Sequence, residues 1–448
     1  MNVRQNLGAI LLITCISVTA LAETPGGNRA DSDAAAASAP TTAGSRDLFY
    51  DGDFGSYYMQ AGQAFLKNDI PAAIAAFQKA LEIAPGHAAL MFDMAQAYAA
   101  AGDTKNAIAM LNRVADKKLA CDPTAVPVFD KMRDDPQFKA VAGRIALNDP
   151  PVNKSSVAFT VKEKDLIPEG IAWDPVSKTL FLSSIYKRKI VAIENDGRTW
   201  DFTTGGQDGL MQVLGMKVDA ERRVLWVASY LTPRQGGSAA IHKYDLRTRK
   251  LIRKYEVDGK QRPHLFNDLA FTPAGDLYFT DSEAGAVWRI PHDNDELEVF
   301  IQPGTFLYPN GIALAADGKR LFVASWAAGI SVVDLANRKV SQLPYSADTA
   351  PVEIDGLYLW KDSLIGVQNG TGSARVLRFY MNPAQDRILR QEVLESRNPL
   401  FEIPTTGTIT DDGTFYYIAN AQLRKLNGAT IAPMDQLNEV KILKQALQ

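Results

Sequence analysis

Asn310-Gly-Ile-Ala-Leu314, followed by Leu321-Phe-Val-Ala-Ser-Trp326, is the stretch that decides the fold. A polar residue and a Gly lead a short apolar run, a turn follows, and a second apolar run closes the phrase, which is the pattern of two paired strands. The phrase recurs five more times. It reads Glu169-Gly-Ile-Ala-Trp-Asp174 with Leu180–Ser184, Leu214-Gly-Met-Lys-Val-Asp219 with Val224–Tyr230, and Asn267-Asp-Leu-Ala-Phe271 with Leu277–Ser282. The last two copies are Asp355-Gly-Leu-Tyr-Leu359 with Leu364–Gln368 and Thr406-Gly-Thr-Ile-Thr410 with Phe415–Asn420. The lead positions 169, 214, 267, 310, 355 and 406 lie about 47 residues apart on average, room for one four-stranded blade each. Residues 151–448 are therefore predicted to form an all-β six-bladed propeller. Ser156–Val161 lies ahead of the first phrase and is predicted to complete the last blade, leaving the ring no free edge.

In a propeller the innermost strands run along the central channel, so the six lead positions should ring one of its mouths. That ring reads Glu169, Leu214, Asn267, Asn310, Asp355 and Thr406, with no Lys, Arg or His. Two carboxylates and two carboxamides are hard oxygen donors, which suit Ca²⁺ or Mg²⁺ better than copper or zinc. With no cation the carboxylates would repel, and one pKa would rise. Turns favour Asn, Asp and Gly in any case, which accounts for the Asn and Thr residues but poorly for Glu169.

Pro168-Glu169-Gly170, Phe266-Asn267-Asp268, Tyr308-Pro309-Asn310-Gly311 and Asp355-Gly356 occur in that order at blade spacing. Over about residues 160–425 the chain resembles the regucalcin/gluconolactonase group of six-bladed, divalent-metal lactone hydrolases, with paraoxonase a more distant relative. The resemblance implies Glu169, Asn310 and Asp355 as metal ligands, Asp355 also as general base, and Asn267 facing substrate or water, with Asp268 beside it. It implies one divalent ion, Ca²⁺ in the first place, with Mg²⁺, Mn²⁺ and Zn²⁺ as alternatives. Such an ion polarises a lactone carbonyl and acidifies water, and a carboxylate beside it takes the proton. The sequence departs from the pattern at Leu265, where sugar-lactone hydrolases carry an Arg. Arg262 or His264 could reach inward from that loop, and His264 is carried as a substrate-binding candidate. Leu265 and Leu214 point to a substrate less polar than an aldonolactone, or to none.

Ahead of the propeller, between residues 54 and 119, small and apolar residues recur at a 34-residue offset: Ala61/Ala95, Ala73/Ala107, Phe77/Leu111 and Ala80/Val114. Asn68-Asp69 matches Gly102-Asp103 at the turn between helices, and apolar residues fall at helical spacing. This resembles the tetratricopeptide repeat, with Asn68 in place of the turn glycine. Two repeats are fewer than the roughly three usually needed for stability. Phe129, Met132, Phe138, Val141, Ala142 and Ile145 are therefore expected on helices that cap the stack, giving an all-α domain over residues 47–148. Its role is either a peptide-docking groove for a protein partner or a packing module that steadies the propeller.

Residues 1–22 carry one charge, Arg4, then an apolar run of 16 residues ending Ala20-Leu21-Ala22. That describes a secretory signal peptide cleaved after Ala22, and the run is short for a membrane span of about 20. The mature chain is expected in the periplasm or secreted, with no membrane span. Residues 23–46 offer almost nothing to bury and read as a flexible linker. Losing Arg4 takes the formal charge of the 448-residue chain from −3 to −4, which gives no pull toward nucleic acid. The basic stretch Lys243–Lys254 alternates like a solvated outer hairpin.

Four His and two Cys exclude thiolate zinc modules, and after cleavage Cys121 is a lone thiol expected in the core. No Gly-x-Ser-x-Gly, phosphate-loop, His-Glu-x-x-His or Gly-x-Gly-x-x-Gly motif occurs. The expectation is an exported, divalent-metal-dependent hydrolase of lactones or related esters. The alternative is a non-catalytic periplasmic binding or scaffold protein with a structural metal.

Overall fold

The computed structural model describes residues 53–447, apart from 84, 86, 327, 371 and 372. The expected signal peptide and linker lie outside the described residues. Five helices come first: α1 (Asp53–Leu66), α2 (Ile70–Ile83), α3 (Ala88–Ala100), α4 (Thr104–Asp116) and α5 (Pro136–Ala146). Every offset pair read from the sequence is buried, so the 34-residue period is a packing period. Asn68 and Gly102 both take the left-handed conformation at their turns, which Asn tolerates better than most residues. Asp103 and Asp135 cap α4 and α5 by accepting main-chain N–H bonds in the first turn. Phe129, Met132, Phe138, Val141 and Ile145 close the end of the stack in one core with Phe92, Leu111 and the buried thiol of Cys121. Among the described residues no helix is long and apolar enough to cross a membrane.

Six four-stranded antiparallel sheets follow, and each begins with one of the repeated phrases. The innermost strands are Ile171–Asp174, Gln212–Asp219, Phe266–Phe271, Pro309–Leu314, Ile354–Trp360 and Gly407–Ile409. Each packs beside the next and the sixth returns to the first. Ser156–Val161 pairs antiparallel with Val440–Ala446 as the outermost strand of blade 6, so the ring closes as expected. The basic stretch forms the two outer strands of blade 2, where Lys243 and Arg253 both pair with Asp295.

Neighbouring blades touch at two levels. At the channel mouth the main chain of one blade lies directly against the next. A Cβ on Gly215 would sit 2.2 Å from the Asn267 carbonyl oxygen, and one on Gly311 would sit 2.4 Å from that of Asp355, so only glycine fits. At two other joints a hydroxyl bridges the blades: Thr280 Oγ1 donates to Asn310 O at 2.7 Å, and Thr405 Oγ1 donates to Glu169 O at 3.1 Å. At the far end Arg223 of blade 2 clasps Asp174 of blade 1 through two bonds of 2.5 and 2.7 Å. Arg222 and Arg320 likewise reach main-chain carbonyls of the following blades.

The helical unit sits on the same mouth. Leu307 and Tyr308, which lead into the blade 4 inner strand, pack into the α1–α3 core, and Val352, just ahead of the blade 5 inner strand, packs into the α3–α5 core. The connecting segment is tied down as well: Val152 and Ser396 exchange main-chain bonds, and Arg397 Nε donates to Asp149 at 2.7 Å.

Removing one partner of a buried ion pair strands the other charge and costs about 3–5 kcal/mol. Arg223→Ala is expected to lower unfolding free energy by an amount in that range, measured by denaturant titration. A loss below about 1 kcal/mol, the size of a surface pair, would contradict the role given to the Asp174 clasp.

Candidate functional site

Glu169, Asn267 and Asp355 stand where the chain enters its inner strand, and residues at or just past the end of the second strand hold them in place. Ser183 Oγ accepts from Gly170 N at 2.6 Å and so fixes the turn that carries Glu169. Asn267 Nδ2 donates to Ser282 Oγ at 3.0 Å, which turns its carbonyl oxygen away from the wall. Asn369 Nδ2 donates to Asp355 Oδ2 at 2.6 Å and to Pro404 O at 2.8 Å.

Glu169, Asn267, Asn310 and Asp355 are each at most 5% exposed. A buried carboxylate or amide oxygen ordinarily has a donor. Yet Glu169 Oε2, Asn267 Oδ1, Asn310 Oδ1, Asp355 Oδ1 and Asn369 Oδ1 have none from the protein. Five orphaned oxygens on residues of one mouth, without a basic side chain in the lead ring, are donors of the kind that a hard cation takes. Among the described residues no three His, Cys, Asp or Glu side chains are grouped as metal ligands, so a cation here would depend on the amide oxygens as well as the carboxylates.

The electrostatics agree with that donor set. Burial raises the Glu169 carboxyl well above its ordinary range, and Asp355 and Asp268 push it the same way. Burial drives Asp355 up to about 7 against the pull of the Asn369 and Asn310 amides, with Asp268 adding to the rise. Asp268, on the blade 3 inner strand, is raised by burial and drawn down by Lys217, whose ammonium lies 4.8 Å from the centre of the Tyr358 ring. Tyr358 OH accepts from Gly407 N at 2.7 Å, and its phenol is raised by burial and by all three carboxylates.

The structure thus brings together Glu169, Asp268, Asn310 and Asp355, with Asn267 presenting its oxygen from the adjoining position. His264 goes elsewhere. Its Nδ1 lies 2.6 Å from Asp281 Oδ2, its ring meets Trp288 edge-on, and its charged neighbours are Asp281 and Asp258. Asn369 and Glu283 were not singled out from the sequence. Asn369 follows the second apolar run of its phrase, the place that Ser282 fills in blade 3, and that periodicity was the available signal. Glu283 is buried next to Asp281, pushed up to about 8, and has one orphaned oxygen. Tyr230, raised by burial, faces both Glu283 and Glu169.

Leu214 and Leu265 form one apolar patch with Ile167 and Ile185. Leu423, Leu426 and Ile431, from an insertion in blade 6 that includes the hairpin Leu426–Asn427/Thr430–Ile431, cover it. Leu265 is thereby explained locally: it completes an apolar cap where a charge would be stranded.

Residues 167–387 match the family described as SMP-30/Gluconolactonase/LRE-like region. The propeller is SMP-30/gluconolactonase-like. Residues 64–123 match a tetratricopeptide repeat. No curated protein matches the chain. Among solved structures, the gluconolactonase-like propeller is similar to a gluconolactonase from Xanthomonas campestris (16% identity over 66% of this chain and 96% of that one, TM-score 0.46). A calcium-binding regucalcin from Agrobacterium tumefaciens gives 15% identity over 66% and 95%, with TM-score 0.46. The PQQ-bound aldose sugar dehydrogenase from Streptomyces coelicolor gives 14% over 66% and 100%, with TM-score 0.44. Likenesses this distant carry no argument about chemistry.

A carboxyl whose folded pKa is raised favours the folded state while protonated, and that contribution is lost as pH climbs from the unfolded value toward the folded one. For Asp355 the window runs from its ordinary 3.8 to about 7. Burial pushes Asp93 to about 7 and Glu353 to about 8, so these act in the same sense. The chelator-stripped protein is therefore expected to lose stability as pH rises through this window, and Asp355→Asn is expected to flatten the loss. Equal slopes for wild type and variant in thermal melts would contradict the raised Asp355.

Proposed function

We propose that the chain is an exported, divalent-metal-dependent hydrolase of lactones or related esters. The observation that carries this reading is the set of orphaned oxygens on Glu169, Asn267, Asn310 and Asp355, and the gluconolactonase-like match of residues 167–387 supports the reaction class. Glu169, Asn310 and Asp355 are the proposed ligands, with Ca²⁺ favoured by their all-oxygen character. A divalent cation held there would polarise a lactone carbonyl and lower the pKa of water in the site.

This chain's own groups supply the rest. Asn369 occupies Asp355 Oδ2 and leaves Oδ1 free to take a proton from an attacking water, the general-base role. The proton taken up by Asp355 would then pass to the leaving alkoxide. Asn267, pinned by Ser282, offers its carbonyl oxygen to a substrate hydroxyl or to the water. The apolar cap of Leu214 and Leu265 favours a lactone less polar than a sugar acid's. The apolar run before Ala22 is the basis for placing the protein in the periplasm or outside the cell.

A second reading draws on the depth of burial. Because every proposed ligand is almost fully covered, a cation could instead serve only to steady the channel of a non-catalytic binding protein.

Hydrolysis of a panel of aliphatic, sugar-acid and aryl lactones and esters separates the two. The stripped protein is expected to be inactive and Ca²⁺ or another divalent ion to restore turnover. Glu169→Gln and Asp355→Asn are expected to lose at least about 100-fold, the scale of a lost general base. Tight cation binding with no turnover on any substrate would favour the second reading, and full activity of Asp355→Asn would contradict its assignment.

A further inference from the structure

Several of the contacts between the helical unit and the propeller converge on the segment that delivers Asp355. Arg375, on the third strand of blade 5, is fully buried. Its Nη1 donates to Asn148 O at 2.7 Å and its Nη2 to Lys118 O at 3.1 Å. Those two carbonyls lie just beyond α5 and α4, where helix ends carry partial negative charge. On its other side Arg375 gives both Nε, at 2.9 Å, and Nη2 to Gln368 Oε1. Two donors on that oxygen fix which way the Gln368 amide faces. Its Nε2 must then point at Ala350 O and Val352 O, which accept at 3.0 and 2.7 Å.

The next residue along, Asn369, holds the Asp355 carboxylate itself. Between the two anchors the chain passes through Glu353 in a left-handed conformation that non-glycine residues rarely adopt. Glu353 N donates to Trp326 O at 2.9 Å, and the Ala89 N–H of the first turn of α3 faces its carboxylate. Val352, one residue earlier, is seated in the helical core. Segment 350–355 is thus gripped from above by α3 and from the side by the Arg375–Gln368 pair.

We propose that the helical unit positions the site: the ends of α4 and α5 lock Arg375, Arg375 orients Gln368, and Gln368 with Asn369 sets segment 350–355 and the Asp355 carboxylate. This rests on the reading of Asp355 as a cation ligand, and it gives the repeats an internal role in place of a partner groove. Arg375 and Gln368 are positioning residues that touch neither substrate nor cation.

Ca²⁺ titration by calorimetry of the full mature chain, stripped of metal, tests it. Arg375→Lys keeps a charge beneath the helices, but an ammonium cannot span Gln368 and both carbonyls as the planar fork does. Gln368→Glu keeps the partner for Arg375, and so the docking of the helices, but loses both donors to segment 350–355. Groups that orient metal ligands typically change affinity by about 10–100-fold. Both variants are expected to bind Ca²⁺ at least about tenfold more weakly, and amide exchange in 350–356 is expected to quicken while that of α3 and α4 in Gln368→Glu stays unchanged. Arg144→Ala breaks only the contacts of α5 with Asn112 and Asp116 and is expected to keep wild-type affinity. Wild-type affinity in Gln368→Glu would overturn this inference alone. A wild-type chain that binds no Ca²⁺ would overturn the reading of the ring and this inference with it.

Discussion

The structure depends on how closely six main chains approach one another at a single mouth. Where Gly215 and Gly311 lie against the carbonyls of Asn267 and Asp355, no side chain fits between the blades. That approach fixes the inner strands relative to each other before any functional group is considered. It also places the side chain of every lead position where water is scarce. A Leu there is stable by itself, whereas a Glu or an Asp is not. The orphaned oxygens of Glu169, Asn310 and Asp355 and the upward displacement of the Glu169 and Asp355 carboxyls follow from polar groups being placed in the tightest part of the fold. Proteins tolerate such groups where function requires them or where a cation completes them.

The two parts of the chain are linked by the same logic of satisfying main-chain ends. An α-helix leaves free N–H groups at its start and free carbonyls at its end. Here the propeller supplies a cation, Arg375, to carbonyls beyond α4 and α5, and the buried Glu353 carboxyl lies by the start of α3. The Arg375 charge is costly to bury alone and is compensated by the carbonyls at those helix ends. The helical repeats are thereby held on the mouth that carries the ring, next to segment 350–355.

Much of this was legible in the sequence, because repetition is a strong signal. The six phrases located all six inner strands, Ser156–Val161 was read as the closing strand, and the 34-residue offsets named the buried faces of α1 to α4. The lead residues were legible for the same reason, since one equivalent position in each repeat must share one place around a symmetric channel. Side chains recruited by tertiary contact escaped. Arg375 and Gln368 look like ordinary strand residues until the ends of α4 and α5 arrive above them. His264 looked available because its loop precedes a lead position, yet Asp281 at the end of the neighbouring strand takes up its ring. Leu265 read as a missing Arg, whereas the insertion near residue 426 makes an apolar residue the fitting one.

The central claim is that the ring is a cation site whose empty form holds protons. Potentiometric titration of Ca²⁺ into the stripped protein near pH 6.5 tests it directly, because a cation that displaces protons from Glu169 and Asp355 must acidify a weakly buffered solution. One ion is expected to bind per chain with proton release, and both are expected to be lost in Glu169→Gln. Saturable Ca²⁺ binding without proton release, or binding undiminished in Glu169→Gln, would contradict it.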